Sequence, residues 1–352
     1  MLHRVLAATS FVVLIGCKTI EVGIHQEDQE VQTIVVTTDP NEAKIFTSDI
    51  DNFWRAYNEA TPQNDSIVYR DFYLERGSPG LKGFSKLKIA NPTYLAIRVE
   101  NRAKYYASIR SSTLAIRTKE EKIRESFIKL KELYPDAVFP DVYFLIGPMN
   151  AGGIATEQGL VIGAEIFSKA PSSPLDELNA WEANAVKPAE KIPGVVVHEL
   201  VHFQQRTLSS AGTLLAWSIG EGIADFLAEL IAGCRINELQ HEYGDRHEAE
   251  LWQEFKQVMN GKDLSMWLYN GGKVPSSGKP GERPADLGNY FGHRICQAYY
   301  ERASDKKQAI KDMLEVRDFA GFLAASGYER ILAARYKSAV EPTGSLTSQG
   351  RH

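Results

Sequence analysis

The sequence predicts an α+β fold in two lobes: an N-terminal lobe with a small antiparallel or mixed sheet, and a C-terminal lobe that is mostly helical. Three observations carry this reading. Short runs bounded by turn residues and rich in β-branched or apolar side chains, Thr33–Thr38, Asp141–Gly147 and Gly159–Phe167, all fall in the first half of the chain. Apolar residues at helical spacing dominate the second half. Between the two stands a strongly apolar helix interrupted by His198, Glu199 and His202.

Taken in order, His3 and Arg4 precede an apolar run, Val5–Gly16, that is too short to cross a bilayer and has the proportions of a signal-peptide core. Leu14-Ile15-Gly16-Cys17 resembles a bacterial lipobox, so residues 1–16 read as a lipoprotein signal peptide and Cys17 as the lipidated residue. The other reading is a secretory signal with an incidental Cys17. Lys18, where Asp would retain the protein at the inner membrane of enteric bacteria, favours the outer membrane. Residues 17–32 read as a flexible tether, 33–206 as the first lobe, 207–340 as the second and 341–352 as a disordered tail.

Within the first lobe, Ser48 or Asp49 caps a helix through Phe53, Trp54 and Tyr57. Asp49, Asp51 and Glu59 lack calcium-loop spacing and read as solvated charge. Asn91–Pro135 is helical, with Ile123, Phe127, Leu130 and Leu133 as a core stripe. Asp141–Gly147 and Gly159–Phe167 then form a hairpin around a loop of small residues, Met149–Gln158. Ser173–Lys191 is a connection. Beyond Gly233 the helices are Glu248–Met259, Pro284–Arg302, Lys306–Glu315 and Asp318–Ala325, with Tyr269–Arg283 as a rim or lid.

The chemistry sits between the lobes. His198 and His202, four apart, project from one side of a helix and can reach a single ion. Pro193 suits that helix's first turn. Burying His, Glu and His unpartnered would cost roughly 1–3 kcal/mol each, a cost that a bound cation removes. Glu221 opens a second helix, Glu221–Ile231, closed by Gly233. Catalytic zinc takes three protein ligands, and Glu221 completes the set. Asp225, at i+4 from Glu221, is placed to accept the second ring N–H of a ligating histidine. Ser218–Glu221 also has the form of a capping box, which would turn Glu221 back to the Ser218 N–H.

His198-Glu199-Leu200-Val201-His202 with Glu221-Gly222-Ile223-Ala224-Asp225 resembles the gluzincin metallopeptidases over about residues 195–230. With weaker motifs at Tyr143–Phe167 and Arg283–Tyr300, the chain is also similar to the predicted zinc-dependent protease lipoproteins of bacteria and, distantly, to gliding-motility lipoproteins. The resemblance implies a zincin-like fold, Zn²⁺ on His198, His202 and Glu221, and Glu199 as the general base. It also implies an edge strand over the metal helix that pairs with an extended peptide, with Gly152, Gly153 and Thr156 near the cleft. The same glycines suit an ordinary turn. An oxyanion donor is expected from the second lobe: Tyr290 and His293, beside Arg294, are the candidates, unless they form an aromatic core stripe with Tyr299. His241 and His247 read as solvated.

Composition fits such a body. At 43% hydrophobic and 24% charged, with no second long apolar run, the chain can build a core and has no membrane span. A net charge of −5 and a pI near 6.0 argue against nucleic acid as a partner. Cys234 and Cys296 either pair in an oxidising compartment or remain buried thiols. The expectation is a lipid-anchored zinc metallopeptidase of the bacterial cell envelope, facing periplasm or cell surface and acting on a peptide or protein substrate. The alternative is a non-catalytic envelope lipoprotein, a scaffold of secretion or motility machinery.

Overall fold

The computed structural model describes residues 11–15, 18–21, 32–205, 212–273 and 282–340. Strands β1 (Phe11–Ile15), β2 (Lys18–Glu21), β3 (Gln32–Thr37), β4 (Ile45–Phe46), β5 (Phe139–Pro140), β6 (Val142–Leu145), β7 (Gly153–Thr156) and β8 (Gly159–Gly163) make two sheets. The first has the order β2-β1-β3-β5, with β1 parallel to β3. Here the chain differs from expectation, because parts of the expected leader and tether are strands; Cys17 and the C-terminal tail lie outside the described residues.

The second sheet, β4-β6-β8-β7, is the one that positions the site. The expected hairpin is corrected in its pairing. β6 and β8 run parallel, and the segment read as a loop between them supplies β7, antiparallel to β8 on the sheet's edge. The reason is burial: every residue of β6 and β8 is buried, as in strands covered on both faces, so their apolar runs carry no alternation. Gly159, at φ +140°, makes the turn from β7 into β8, and a Cβ there would lie 2.2 Å from the Asp141 carbonyl oxygen.

The helices of eight residues or more are α1 (Ser48–Glu59), α2 (Pro79–Lys88), α3 (Pro92–Glu100), α4 (Glu120–Leu133), α5 (Ile192–Gln204), α6 (Leu214–Ala232), α7 (Glu238–Val258), α8 (Leu287–Arg302), α9 (Lys306–Leu314), α10 (Phe319–Ser326) and α11 (Tyr328–Val340). Asp49 is corrected from solvated to buried: its carboxylate accepts from the Ser78 N–H (2.9 Å) and hydroxyl, tying α1 to the start of α2. Ile123, Phe127 and Leu130 are buried as the stripe on α4 implied. The buried apolar side chains of both halves form one continuous cluster, within which α6 packs against α5 on one side and α8 on another.

Glu165, just past β8, is fully buried and accepts from the Gly147 N–H at 2.9 Å. Burial pushes its carboxyl up to about 7 from the ordinary 4.5. Between those values the folded protein keeps a proton that the unfolded chain has lost, so stability falls as pH rises through the window. At 1.36 kcal/mol per unit the loss is about 3 kcal/mol. Glu165→Gln, which keeps an acceptor for Gly147, is expected to flatten that decline in denaturation profiles taken from pH 4.5 to 8. A wild-type profile as flat as the variant's would refute the shift.

Candidate metal centre

Helix α5 carries Pro193 in its first turn, and its His198 and His202 rings stand edge-on with centroids 4.6 Å apart. Their Nε2 atoms face each other at 3.0 Å. Helix α6 begins earlier than the sequence implied. Thr213 is its N-cap, accepting from the Ala216 N–H at 3.2 Å, so Ser218 lies inside the helix and Glu221 is not part of a capping box. Glu221 Oε2 sits 3.5 Å from His198 Nε2 and 3.4 Å from His202 Nε2. Among the described residues, this trio is the only His/Cys/Asp/Glu group whose ligand atoms all lie within 4.8 Å of one another.

The other ring nitrogens each lie beside an oxygen of a neighbouring side chain. His202 Nδ1 donates to Gln205 Oε1 at 2.8 Å, and Gln205 Nε2 donates to the Gly220 carbonyl on α6 at 2.9 Å, which fixes both the amide and the tautomer. His198 Nδ1 lies 2.9 Å from Asp225 Oδ1, close but poorly aligned for a hydrogen bond, while Asp225 Oδ2 accepts from Asn237 Nδ2 at 2.6 Å. With Nδ1 protonated on both rings, two lone pairs and a carboxylate oxygen converge on one point. Such an arrangement repels itself unless a cation holds it. Two imidazole nitrogens and one carboxylate, each oriented from behind, are the donor set of a three-ligand zinc site.

The electrostatics agree. Burial opposes charge on His198, but the Asp225 and Glu221 carboxylates outweigh it and hold the imidazole well above the usual histidine value. His202 is likewise raised against its burial by Glu221. Burial also opposes the Glu221 anion, which the two histidines nevertheless hold well below the carboxylate range. The pocket therefore concentrates a field that favours a positive charge.

Glu199 lies against the edge strand: a Cβ built on Gly153 would be 2.2 Å from Glu199 Cδ, so any larger residue there would displace the Glu199 carboxylate from its present position. The Glu199 carboxylate has no hydrogen bond or ion pair among the described residues. Of the other two residues expected here, Gly152 makes room for Phe167, and Thr156 is buried with its hydroxyl on the Gly159 carbonyl at 3.1 Å.

Tyr290 and His293 are not brought to the trio. The Tyr290 hydroxyl donates to Asp245 Oδ1 at 3.0 Å, and His293 Nε2 meets Glu229 Oε2 at 2.9 Å. The reason is helix geometry: Gly288 and Gly292 turn one face of α8 onto α6, which sends Tyr290 and His293 into the seam with α7. Glu221, Asp225 and Glu229 thus share one face of α6 but meet different partners. His241 is corrected from solvated to buried, packed against Tyr290 and His293, whereas His247 is half-exposed at a kink in α7. Cys234 and Cys296 are both free thiols.

The hydroxyl that does reach the trio belongs to Tyr269, which donates to Glu221 Oε1 at 2.7 Å. Tyr269 has φ +53° and packs edge-on against Trp217. Behind it, Asn270 and Asp286 exchange backbone-to-side-chain hydrogen bonds of 2.8 and 3.3 Å, stapling the two ends of the expected rim loop. Residues 274–281 of that loop lie outside the described residues. Its position as the aromatic opening a Gly-rich rim was the signal in the sequence for Tyr269.

The family model of gliding motility protein GldB matches residues 18–330 of the chain. The chain belongs to the GldB family. Comparison with curated proteins and with solved structures finds no match. The GldB match takes in both helices that carry His198, His202 and Glu221, together with Tyr269 and the α6–α8 seam, so the candidate centre lies inside the family's body. It starts at the residue after Cys17, and the lipoprotein character read at Leu14–Cys17 agrees with the GldB assignment. No helix among the described residues of this GldB-family chain is long and apolar enough to cross a membrane.

Proposed function

We propose that this GldB-family protein is a cell-envelope lipoprotein serving gliding-motility machinery, and that it carries one Zn²⁺ on His198, His202 and Glu221. The observation that carries the zinc reading is the pair of Nε2 atoms facing each other at 3.0 Å beside Glu221, with their Nδ1 atoms turned away. Family membership supports the machinery component over the peptidase that the motif alone suggested. The membrane partner is then reached through lipid on Cys17.

A second reading, peptide hydrolysis, is favoured by the Glu199 carboxylate, which no described residue engages and which the edge strand covers. Zinc, when bound, polarises a carbonyl and lowers the pKa of water to about 7. Glu199 would take the proton and return it to the leaving amine. The outer edge of β7 would hold an extended peptide through main-chain hydrogen bonds. Tyr269, rather than Tyr290 or His293, is the donor available to a developing oxyanion.

Glu199→Gln separates the two. The variant is expected to keep its fold and zinc, to restore gliding in cells lacking the wild-type protein, and to lower any cleavage of a peptide library by roughly 10²–10⁴-fold. A variant that keeps zinc but fails to restore gliding would overturn the scaffold reading in favour of hydrolysis.

A further inference from the structure

A cleft of about 890 Å³ opens where α4, the first turn of α5, the end of α6 and the first turns of α7 meet. One wall is His241, 3% exposed, with its ring centroid 5.3 Å from that of Tyr290 and 4.5 Å from that of His293. Neither ring nitrogen is hydrogen-bonded to a described residue. Burial pushes this imidazole down to about 3, so it faces the cleft neutral, with one N–H and one lone pair unspent.

Most of the other charges here are already committed. Lys129 Nζ donates to the last carbonyls of α6, Leu230 and Ile231, at 2.7 and 3.1 Å. Lys191 is held by the Arg235 carbonyl and Glu238. Arg235 grips both oxygens of Glu229, at 2.7 and 2.9 Å. With the Lys191–Glu238 and Arg235–Glu229 pairs set aside, Glu125, Glu190, Glu242 and Asp245 stand against Lys122 and Lys129, whose carbonyl partners leave its charge uncompensated. The cleft therefore keeps an excess of negative charge around a neutral acceptor.

We propose that this cleft binds the guanidinium or ammonium side chain of a basic segment on a protein partner. Carboxylates on the wall supply the field, and the His241 lone pair supplies a directional acceptor for one N–H. The site is separate from the metal centre and does not depend on zinc or catalysis.

The probe is N-acetyl-tetra-arginine amide, titrated calorimetrically into the full-length protein, with tetra-glutamate as control. Saturable binding of the arginine peptide is expected, weakened at least tenfold in the triple variant Glu125→Gln, Glu190→Gln, Glu242→Gln. It should weaken several-fold in His241→Phe, which keeps the ring packing, and be unchanged in His198→Ala/His202→Ala. The Glu changes lie on exposed positions and leave the core untouched, so they test the proposal even if His241→Phe fails to fold. No saturable binding, equal binding by the triple variant, a preference for tetra-glutamate, or loss in the metal-site variant would each overturn it.

Discussion

Equilibrated with zinc and then dialysed, the protein is expected to hold about one Zn²⁺ per chain and the His198→Ala/His202→Ala variant none. Both imidazoles offer Nε2 to the same point, and their removal leaves Glu221 with Tyr269 as its remaining contact in the trio's surroundings. The effect on stability is large. Zinc at a thousandfold excess over its dissociation constant stabilises the folded state by about 4 kcal/mol, so chelation should lower the wild-type unfolding midpoint and leave the variant's unmoved. Glu221→Gln should weaken zinc binding without abolishing it. Stoichiometric metal in the double variant would place the ion elsewhere and end the assignment.

Gly292→Ala is expected to destabilise the protein by roughly 3 kcal/mol or more, at the upper end of overpacking costs. A Cβ there would stand 1.7 Å from the Ser218 carbonyl oxygen, and one on Gly222 would stand 2.0 Å from the Gly292 carbonyl carbon. These obstacles are backbone, which cannot swing aside as a side chain can, so α6 and α8 must separate. Glu221 precedes Gly222, and its displacement should weaken zinc binding as well. Gly271→Ala, whose new atom meets nothing nearer than 3.4 Å, is the control. Denaturation midpoints that do not distinguish Gly292→Ala from wild type would show that the crossing is looser than described.

The seam was readable in principle. Ser218 and Gly222 on one helix and Gly288 and Gly292 on the other are small residues at i, i+4, the spacing that lets two helices touch. The two histidines, Glu199, Glu221 and Asp225 were legible because a rigid helix converts spacing of four into adjacency. Tyr290 and His293 were misplaced because helical adjacency alone does not say which face a third helix covers. Strand order was legible only in part: β6 and β8 are buried on both sides, and such runs do not reveal whether their neighbours are parallel. The place of Tyr269 at the opening of the rim was legible, but its approach to Glu221 was not, because it depends on a left-handed backbone and on the Asn270–Asp286 staple, which join residues far apart in sequence.

Glu221, Asp225 and Glu229 follow one another a turn apart, about 5.4 Å per step, on a helix that is otherwise largely apolar. Each anion has its own counterpart: the paired imidazoles, Asn237 with His198, and Arg235 with His293. Helix α6 is thus a key with three bits cut at equal intervals. A rotation or a slide would strand all three charges together, so it seats completely or not at all. The register of α6 against its neighbours is therefore specified three times over along one helix face.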